Sequence, residues 1–326
     1  MKILIVGGVA GGATTATRLR RLDENAEIII FEKGNYISFA NCGLPYYIGD
    51  VIKEKNKLLL QTPESFKKRF NIDVRINQEV TNIDRKNKKI EIQNLITKKI
   101  YEEYYDKLVL SPGAEPINPF RELKTDKIRT LRTIDDSIII KKHIKTEKPK
   151  FVLIIGGGYI GIEMAENLRQ YNDIEISIIE KTSHLINPLD EDMANFVHNE
   201  LKKNSITVIL NNGVKQIEKT KNQLQVTLDN GSLTVDYIIL CIGITPDTKL
   251  AIQSGLKVNH KNSIIVSNYM QTSDANIYAL GDAVQVANFV TKLPAHIPLA
   301  GPANKQARIV ANNIIGKNTK YKRKYW

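Results

Sequence analysis

A short glycine-rich turn between a strand pattern and a helix pattern occurs twice in this chain, and it constrains the fold more than any other feature. The first copy, Gly7-Gly8-Val9-Ala10-Gly11-Gly12, follows an apolar strand pattern at residues 2–6 and opens a helix pattern that runs through Leu22. A second apolar strand pattern at residues 27–31 comes next and ends in Glu32. This order of strand, glycine turn, helix and strand is typical of a dinucleotide-binding unit.

The second copy has the same order of elements further along the chain. It consists of a strand pattern at residues 151–155, the turn Gly156-Gly157-Gly158-Tyr159-Ile160-Gly161, a helix pattern to about Tyr171, and a strand pattern at residues 176–179 that ends in Glu180. Two copies predict an α/β protein with two Rossmann-like dinucleotide-binding domains. The alternative is that the glycines only permit tight turns in an unrelated α/β fold.

A glycine turn at the start of a helix binds phosphate because unpaired backbone N–H groups and the helix dipole favour an anion there. The missing side chains let a pyrophosphate approach, and an acidic residue about twenty positions further on can bind a ribose hydroxyl. The first copy departs from the usual pattern, since Val9 takes the middle glycine position. The second copy is complete, and Glu180 favours NADH over NADPH because it would repel a 2′-phosphate, although the adjacent Lys181 weakens that preference.

Composition and charge exclude several other classes of protein. A chain of 326 residues with 42% hydrophobic and 25% charged residues is long enough for two domains with substantial cores. No apolar run approaches the roughly 20 residues of a membrane-spanning helix, so we expect a cytoplasmic protein without a membrane partner. The net charge of +12 allows a nucleic-acid partner, but the lysines are scattered, so we expect none and predict no metal site.

Other segments place further elements around these two units. Residues 89–94 and 99–104 alternate like the arms of a hairpin, and Thr62-Pro63-Glu64 marks a helix start with Thr62 as its N-cap. Downstream, a short apolar strand delivers the pair Gly281-Asp282. An aspartate at that place can hydrogen-bond a polyol chain such as the ribitol of a flavin, and the alternative is an ordinary strand-to-turn cap.

Taken together, these segments resemble the FAD-dependent pyridine nucleotide-disulfide oxidoreductases over nearly the whole chain. The runs at residues 108–114 and 241–246 resemble the crossings between domains in that family. The resemblance implies a discontinuous FAD-binding domain, residues 1–116 and 244–326, with an NAD(P)H-binding domain inserted at residues 117–243.

The resemblance also implies which residues bind the two cofactors. Those implied for FAD are Gly7, Gly8, Gly11, Gly12, Glu32, Gly113, Gly281 and Asp282. Those implied for NADH or NADPH are Gly156, Gly158, Tyr159, Gly161, Glu163 and Glu180. In such an arrangement Tyr159 is expected to act as a gate beside the flavin, and Glu163 to lie near the nicotinamide.

Within that family, the run Ser38-Phe39-Ala40-Asn41-Cys42-Gly43-Leu44-Pro45-Tyr46-Tyr47 and the turn Val9-Ala10-Gly11-Gly12 look like coenzyme A-disulfide reductases. Close relatives reduce persulfides or polysulfides, or are NADH oxidases and peroxidases. The oxidase and peroxidase branch has a histidine where this chain has Ala10, which counts against peroxide chemistry. The narrower resemblance implies coenzyme A, or another small thiol or disulfide, as the partner. The residues implied to contact it are Thr14, Arg18, Arg21, Ser38, Asn41 and Asn304.

Coenzyme A carries several phosphate charges, so its site needs cations. Arg18 and Arg21 are three residues apart and share one face of the first helix. The alternative is that Arg18, Arg20 and Arg21 form an ordinary solvated helix face. Phe70 takes a place that is basic in some members of the family.

Cys42 is the candidate catalytic residue. The sequence has two cysteines, and Cys241 lies within a buried strand pattern at residues 238–242, where a thiol behaves as a small hydrophobe. The glutathione reductase branch of the resembled family uses two cysteines five residues apart, and Tyr47 stands where the second would be. The resemblance therefore implies that Cys42 pairs with an exogenous thiol or is oxidised to a sulfenic acid. The alternative is an inert buried thiol, but the turn into a helix start favours the thiolate.

Members of the resembled family continue for another domain beyond the length of this sequence, and that domain forms their homodimer. From the sequence we therefore expect a chain without a C-terminal dimerisation domain, able to remain a monomer, that binds FAD and has little reductase activity. The remaining alternative is an inactive flavin-binding fragment, which the basic ending at residues 321–326 favours.

Overall fold

The structure is a computed structural model that describes residues 1–288 and 290–321, so residues 322–326 of the basic ending lie outside the described residues. The helices in this part of the chain are α1 (Ala10–Leu22), α2 (Leu44–Ile48), α3 (Pro63–Phe70), α4 (Ile134–Glu147), α5 (Tyr159–Leu168), α6 (Glu191–Lys203), α7 (Lys249–Gln253) and α8 (Ala300–Ile314). The strands are β1 (Lys2–Val6), β2 (Glu27–Glu32), β3 (Asp73–Ile76), β4 (Gln78–Asp84), β5 (Lys89–Asn94), β6 (Ile100–Tyr104), β7 (Lys107–Leu110), β8 (Ala114–Pro116), β9 (Ile128–Thr130), β10 (Phe151–Ile155), β11 (Glu175–Ile179), β12 (Ile206–Ile209), β13 (Val214–Lys219), β14 (Leu224–Leu228), β15 (Ser232–Val235), β16 (Tyr237–Leu240), β17 (Ile244–Pro246), β18 (Ile264–Ile265), β19 (Ile277–Ala279), β20 (Val284–Ala287) and β21 (Pro294–Ala295).

Contacts within the chain divide it into two compact units. Unit 1 contains Met1–Phe39, Leu59–Glu115 and the described residues from Pro246 onward. Unit 2 contains Ala40–Leu58 and Pro116–Thr245. The short segment Ala40–Leu58, which carries Cys42, groups with unit 2, although the sequence division placed it in the first part of the chain. The assignment of one cofactor to each unit stays a prediction.

Unit 1 is built on a parallel sheet with the strand order β19-β7-β1-β2-β3. The central strand β1 pairs with β7 and β2, and Leu4 lies opposite Leu108 and Ile29. Residues 3–5 of β1 have no exposed surface, as expected for a parallel sheet covered on both faces. Because the strands are parallel, the carboxyl ends of β19, β7, β1 and β2 lie along one edge, where ligands of such sheets bind.

The smaller elements of unit 1 follow the local sequence signals. Strands β5 and β6 form an antiparallel pair in a sheet with β4, which confirms the predicted hairpin. Thr62 caps α3, since its Oγ1 accepts from Ser65 N at 3.3 Å while Ser65 Oγ accepts from Thr62 N at 2.9 Å. This reciprocal pair satisfies two backbone donors at the helix start and confirms the predicted N-cap.

Unit 2 repeats the parallel architecture with the strand order β12-β11-β10-β16-β9. Ile154 in the central strand β10 lies opposite Ile178 and Ile239. A separate antiparallel sheet contains β13, β14 and β15, and the short helix α2 packs on α4 and α5. The fold class predicted from the sequence, α/β with two Rossmann-like units, is confirmed.

Helix α5 is shorter than its sequence pattern indicates. The pattern predicts a helix to about Tyr171, but α5 ends at Leu168 and two turn hydrogen bonds follow it. Beyond the end of the helix, the Tyr171 hydroxyl donates to Ile48 O at 2.7 Å.

Within residues 1–288 and 290–321, no helix combines the length and the apolar character needed to cross a bilayer. The same residues contain no group of three or more His, Cys, Asp or Glu side chains placed to hold a metal ion.

Candidate dinucleotide and thiol sites

The first glycine turn lies at the carboxyl end of β1 and opens α1. Gly7 has a φ of +91°, a left-handed conformation that glycine adopts without strain, and its N–H donates to Phe31 O at 2.8 Å. Gly12 passes so close to Gly7 that an added Cβ would be 1.8 Å from Gly7 O. Val9 is the N-cap and its side chain offers no acceptor, so the N–H groups of the first helical turn are left for an anionic ligand.

The acidic residue predicted for this turn, Glu32, is held beside it. Its Oε2 accepts from Gly8 N at 2.8 Å and its Oε1 accepts from Gly34 N at 2.8 Å. Ser38 N donates to Gly8 O at 3.0 Å, and Gly113, with a φ of +76°, follows β7 at the same edge of the sheet. A fixed carboxylate has further lone pairs with which to accept from a ribose, so the geometry fits the role predicted for Glu32.

The pair Gly281-Asp282 reaches the same edge at the end of β19, which pairs in parallel with β7. An added Cβ on Gly11 would be 2.4 Å from Leu280 Cδ1, so the start of α1 and the end of β19 are in direct contact. Gly281 N donates to Oε1 of Gln306 at 2.8 Å, and the Gln306 side chain is buried. Gln306 was not singled out from the sequence, because a glutamine within an amphipathic helix pattern carries no signal of its own.

The second glycine turn repeats this arrangement in unit 2. Gly156 has a φ of +105° and donates to Ile179 O at 2.9 Å, and an added Cβ on Gly161 would be 2.1 Å from Gly156 O. Gly158 is the N-cap of α5, and an added Cβ there meets no atom within 4 Å. The structure therefore brings the three predicted glycines to one helix start, with the backbone at Gly158 open to a ligand.

Glu180 holds the same place in unit 2 that Glu32 holds in unit 1. Its Oε2 accepts from Gly157 N at 2.8 Å, and its Oε1 accepts from the Thr182 N–H and hydroxyl at 3.0 Å each. Burial alone would raise the pKa of this carboxyl, but the hydrogen bonds outweigh it and hold the pKa of Glu180 below its ordinary value. Glu180 is therefore an ionised acceptor beside the glycine turn at neutral pH.

Tyr159 and Glu163 both lie in the first part of α5. Tyr159 begins the helix and is exposed, whereas burial, with the nearby charge of Glu166, raises the pKa of Glu163. The charge of Glu166, followed by burial and by smaller contributions from Glu163 and Cys42, raises the pKa of the Tyr46 phenol. Helix α2, which follows Cys42 directly, packs on α5 within unit 2.

Cys42 lies in a single 3₁₀ turn, Asn41–Gly43, that leads directly into α2. Its thiol is exposed, so the alternative of an inert buried thiol does not hold. The other cysteine, Cys241, follows β16, and burial raises the pKa of its thiol to about 12, although part of the residue reaches the surface. Of the two thiols, Cys42 is therefore the more accessible to a dissolved molecule.

A cavity of about 600 Å³ lies in unit 1 and is lined by residues of α1 and α8. Its lining contains three guanidinium groups and no carboxylate; the residues are Thr14, Thr17, Arg18, Arg21, Arg308 and Asn312. The Arg18 guanidinium donates to Asn312 Oδ1 at 3.3 Å, and the Thr14 hydroxyl donates to Asn304 Oδ1 at 2.7 Å. Four residues predicted to contact coenzyme A are thus brought together: Thr14, Arg18, Arg21 and Asn304.

The other two predicted contacts, Ser38 and Asn41, do not line this cavity. Ser38 has a φ of +44° beside the first glycine turn, and Asn41 lies in the 3₁₀ turn of Cys42 in unit 2. An adjoining cavity of about 680 Å³ shares Arg308; its other cationic residues are Lys305, Lys317 and Lys320. Arg308 and Asn312 were not predicted, because only the packing of α8 against α1 brings them to Arg18.

Two parallel sheets, each with a glycine turn and an acidic residue at its carboxyl edge, define a protein with two dinucleotide-binding units. Residues 1–307 match the model of the pyridine nucleotide-disulphide oxidoreductase family. The chain belongs to that family, which confirms the resemblance found in the sequence.

Within that family, the chain is similar to several particular proteins. The chain is 36% identical to the coenzyme A disulfide reductase of Staphylococcus epidermidis over 321 residues, which is 98% of this chain and 71% of the relative. Among solved structures, the reduced Bacillus anthracis protein described as CoADR-RHD superimposes with a TM-score of 0.93 at 46% identity and 97% coverage of this chain. A NAD-dependent persulfide reductase from A. fulgidus gives a TM-score of 0.93 at 33% identity and 98% coverage. The chain spans only 57% and 60% of the lengths of these two solved chains.

Proposed function

We propose that the sites of this chain serve the NAD(P)H-dependent reduction of a small disulfide, coenzyme A disulfide, through FAD and the single thiol of Cys42. The observation that carries the proposal is the exposed Cys42 with no partner cysteine, since burial raises the pKa of the only other thiol in the sequence, Cys241, to about 12. A lone exposed thiol must use a dissolved thiol as its disulfide partner.

The proposed reaction at Cys42 has two steps, an exchange with the substrate disulfide and a reduction of the mixed disulfide that results. Its thiolate attacks one sulfur of the substrate disulfide, which breaks that bond, forms a mixed disulfide and releases one coenzyme A thiolate. Two electrons then cleave the mixed disulfide, which regenerates the Cys42 thiolate and releases the second coenzyme A thiolate. FAD would supply that two-electron step, with NAD(P)H as the source of the hydride.

The two glycine turns support the assignment of the cofactors. We assign FAD to the turn beside Glu32, because Gly281-Asp282 joins that edge and offers a carboxylate for a ribitol chain. We assign NAD(P)H to the turn beside Glu180. The ionised Glu180 favours NADH, since a carboxylate accepts from a 2′-hydroxyl and repels a 2′-phosphate.

The cationic cavity supports coenzyme A over an uncharged disulfide. Arg18, Arg21 and Arg308 line it together, and guanidinium groups pair with phosphate through strong charge-assisted hydrogen bonds. The adjoining cavity adds lysines around Arg308, so several phosphate groups of one ligand can be neutralised. A small thiol without phosphate would make no use of these cations.

A persulfide of coenzyme A is the second candidate substrate. The similarity to the persulfide reductase of A. fulgidus favours it, and a lone exposed thiol suits a persulfide as well as a disulfide. Steady-state rates with coenzyme A disulfide and with coenzyme A persulfide, measured on one preparation, decide between the two. Oxygen consumption with NADH alone tests the oxidase alternative, against which Ala10 already counts.

The proposal is tested by Cys42→Ser, with Cys241→Ser as the matched control. We expect Cys42→Ser to lower the turnover of coenzyme A disulfide by about a thousandfold or more, as for other covalent catalytic residues. Its flavin absorbance and its NADH-dependent reduction of an artificial electron acceptor should remain. Cys241→Ser should keep both activities, and disulfide turnover that survives Cys42→Ser would refute the proposal.

A further inference from the structure

A lysine occupies a core-facing position of α4, where an aliphatic residue would be expected. The buried residues of this helix are Ile134, Ser137, Ile140, Lys141 and Ile144, and Lys141 is 8% exposed. Burying an ammonium group is unfavourable unless a partner compensates for the lost hydration. A buried charge at this position therefore requires compensating partners.

Two groups from the segment around α2 compensate this charge. Lys141 Nζ lies 2.8 Å from Asp50 Oδ1 and 3.8 Å from the centre of the Tyr47 ring. Asp50 Oδ2 also lies 2.6 Å from Lys145 Nζ and accepts a hydrogen bond from the Tyr171 hydroxyl at 3.3 Å. Burial by itself would raise the pKa of Asp50, but its bonds to the two lysines lower it, so the carboxylate is charged at neutral pH. The five groups form one network among the segment around α2, helix α4 and the turn that follows α5.

The network is fixed to the carboxyl end of α2 by close backbone contacts. The Tyr171 hydroxyl donates to Ile48 O at 2.7 Å, and an added Cβ on Gly49 would be 2.6 Å from Asn167 O. Asp50 itself has a φ of +63°, a conformation that few residues other than glycine, asparagine and aspartate adopt readily. The last residues of α2 therefore have little freedom to shift relative to α4 and α5.

The opposite end of α2 carries the reactive thiol. Cys42 lies in the 3₁₀ turn that precedes Leu44, and the five residues of α2 span only about 7 Å. Tyr47 is five residues after Cys42, and the face of its ring contacts the ammonium group of Lys141. A short rigid helix transmits a displacement at one end to the other.

We propose that Lys141 and Asp50 are positioning residues that hold α2, and with it Cys42, in the geometry needed for thiol exchange. Neither residue contacts the substrate in this proposal, because both act through Tyr47 and the end of α2. The catalytic readout rests on the proposed function, whereas the reactivity of the Cys42 thiol can be measured without it.

The test compares Lys141→Met and Asp50→Asn with Lys142→Met. Methionine retains the length of the lysine chain without its charge, and asparagine tolerates the backbone of residue 50 without the negative charge. Lys142 is the exposed neighbour on the same helix and serves as the matched control. Lys141→Arg, which keeps a cation able to bond Asp50 and to stack on Tyr47, should restore function in part.

We expect Lys141→Met and Asp50→Asn to change the rate of Cys42 alkylation by iodoacetamide and to lower kcat for coenzyme A disulfide by about ten- to a hundredfold, as small misplacements of reacting groups do. NADH-dependent reduction of an artificial acceptor, per bound flavin, should stay within about twofold. Lys142→Met should match the unsubstituted protein in every measurement.

Several outcomes would overturn the proposal. Unchanged alkylation and unchanged kcat per bound flavin would do so, even if the melting temperature fell, because the network would then be structural only. If Lys141→Met does not fold, Asp50→Asn gives the same comparison. If the unsubstituted protein shows no disulfide turnover, the proposed function fails, and the alkylation rates alone decide on the positioning role.

Discussion

Arg20 and Arg21 are neighbours in the sequence, and the structure gives them different roles. The Arg20 guanidinium donates to Phe70 O at 2.8 Å and to Ala26 O at 2.7 Å, so it joins the end of α1 to two other segments of unit 1. Arg21 is exposed and lines the cationic cavity. The alternative that all three arginines of α1 form a solvated face therefore does not hold for Arg20.

Substitution of these two residues should separate stability from binding. Arg20→Ala leaves backbone carbonyl groups without their charged donor, and we expect it to lower the free energy of unfolding by about 2 kcal/mol. Arg21→Ala should leave the unfolding free energy nearly unchanged and raise KM for coenzyme A disulfide about tenfold, by removing one phosphate contact. Urea unfolding and steady-state kinetics check the two effects, and equal losses of stability in both variants would contradict the assignment.

At the scale of elements, hydrogen bonds hold the loop after β11 to the second glycine turn on one side and to α6 on the other. Ile186 N donates to Gly157 O at 2.9 Å, and Ile186 has a φ of +50°, which is unfavourable for a β-branched residue. Leu185 N donates to His198 Nε2 of α6 at 3.1 Å. An added Cβ on Gly157 would be 2.1 Å from Leu185 Cδ2. His198 thus holds the loop that follows the candidate ribose ligand Glu180.

This bond predicts a pH dependence of dinucleotide binding. Burial, followed by the charge of His184, lowers the pKa of His198, and Glu191 opposes the shift in part. A lowered pKa means that the unfolded loop takes up a proton before the folded loop does, so the loop is stable above a pH of about 6.5 and loses stability as the pH falls through the folded pKa. Protonation also removes the lone pair that accepts from Leu185 N.

We therefore expect KM for NADH to rise about fivefold as the pH falls from about 7.5 to about 5.5. His198→Gln keeps an acceptor for Leu185 but does not titrate, so its KM should change less over that range. The exposed His260, in unit 1, provides the control His260→Gln, which should behave like the unsubstituted protein. An identical rise of KM in His198→Gln would exclude His198 as the cause.

At the scale of the whole molecule, the chain contains the same glycine turn with an adjacent glutamate twice, once in each of two units with separate cores. The turns correspond closely, since Gly7 and Gly156 are both left-handed and Glu32 and Glu180 each accept from an amide of their turn at 2.8 Å. The copies differ at the middle position, where unit 1 has Val9 and unit 2 has Gly158. A change in one turn should therefore affect one cofactor and leave the other bound.

Gly158→Ala tests this independence. A Cβ there meets no protein atom within 4 Å, so the variant should fold with unchanged stability and a normal flavin spectrum. We expect KM for NADH to rise about tenfold, because the methyl group occupies the approach of the pyrophosphate. Flavin content and steady-state kinetics measure the two properties. Loss of flavin from Gly158→Ala would show that the two sites depend on each other.

Much of the fold was predictable because its signals are local. Apolar runs of strand length, the two glycine turns and the N-cap Thr62 each depend on residues within one or two elements. The prediction that Glu32 and Glu180 lie beside their turns holds as well, because parallel strands bring consecutive carboxyl ends to one edge. The end of α5 was less predictable, and the Tyr171 hydroxyl just beyond it binds Ile48 O, which is far away in the sequence.

The sequence by itself determined the α/β class, the two glycine turns with their acidic residues, the family and Cys42 as the candidate thiol. These follow from the spacing of residues and from their chemical types. Only the tertiary structure brought Arg308 to Arg18, Gln306 to Gly281 and Lys141 to Asp50. Each pair joins residues remote in the chain, and no local pattern encodes which buried or charged side chain will meet which partner when helices pack.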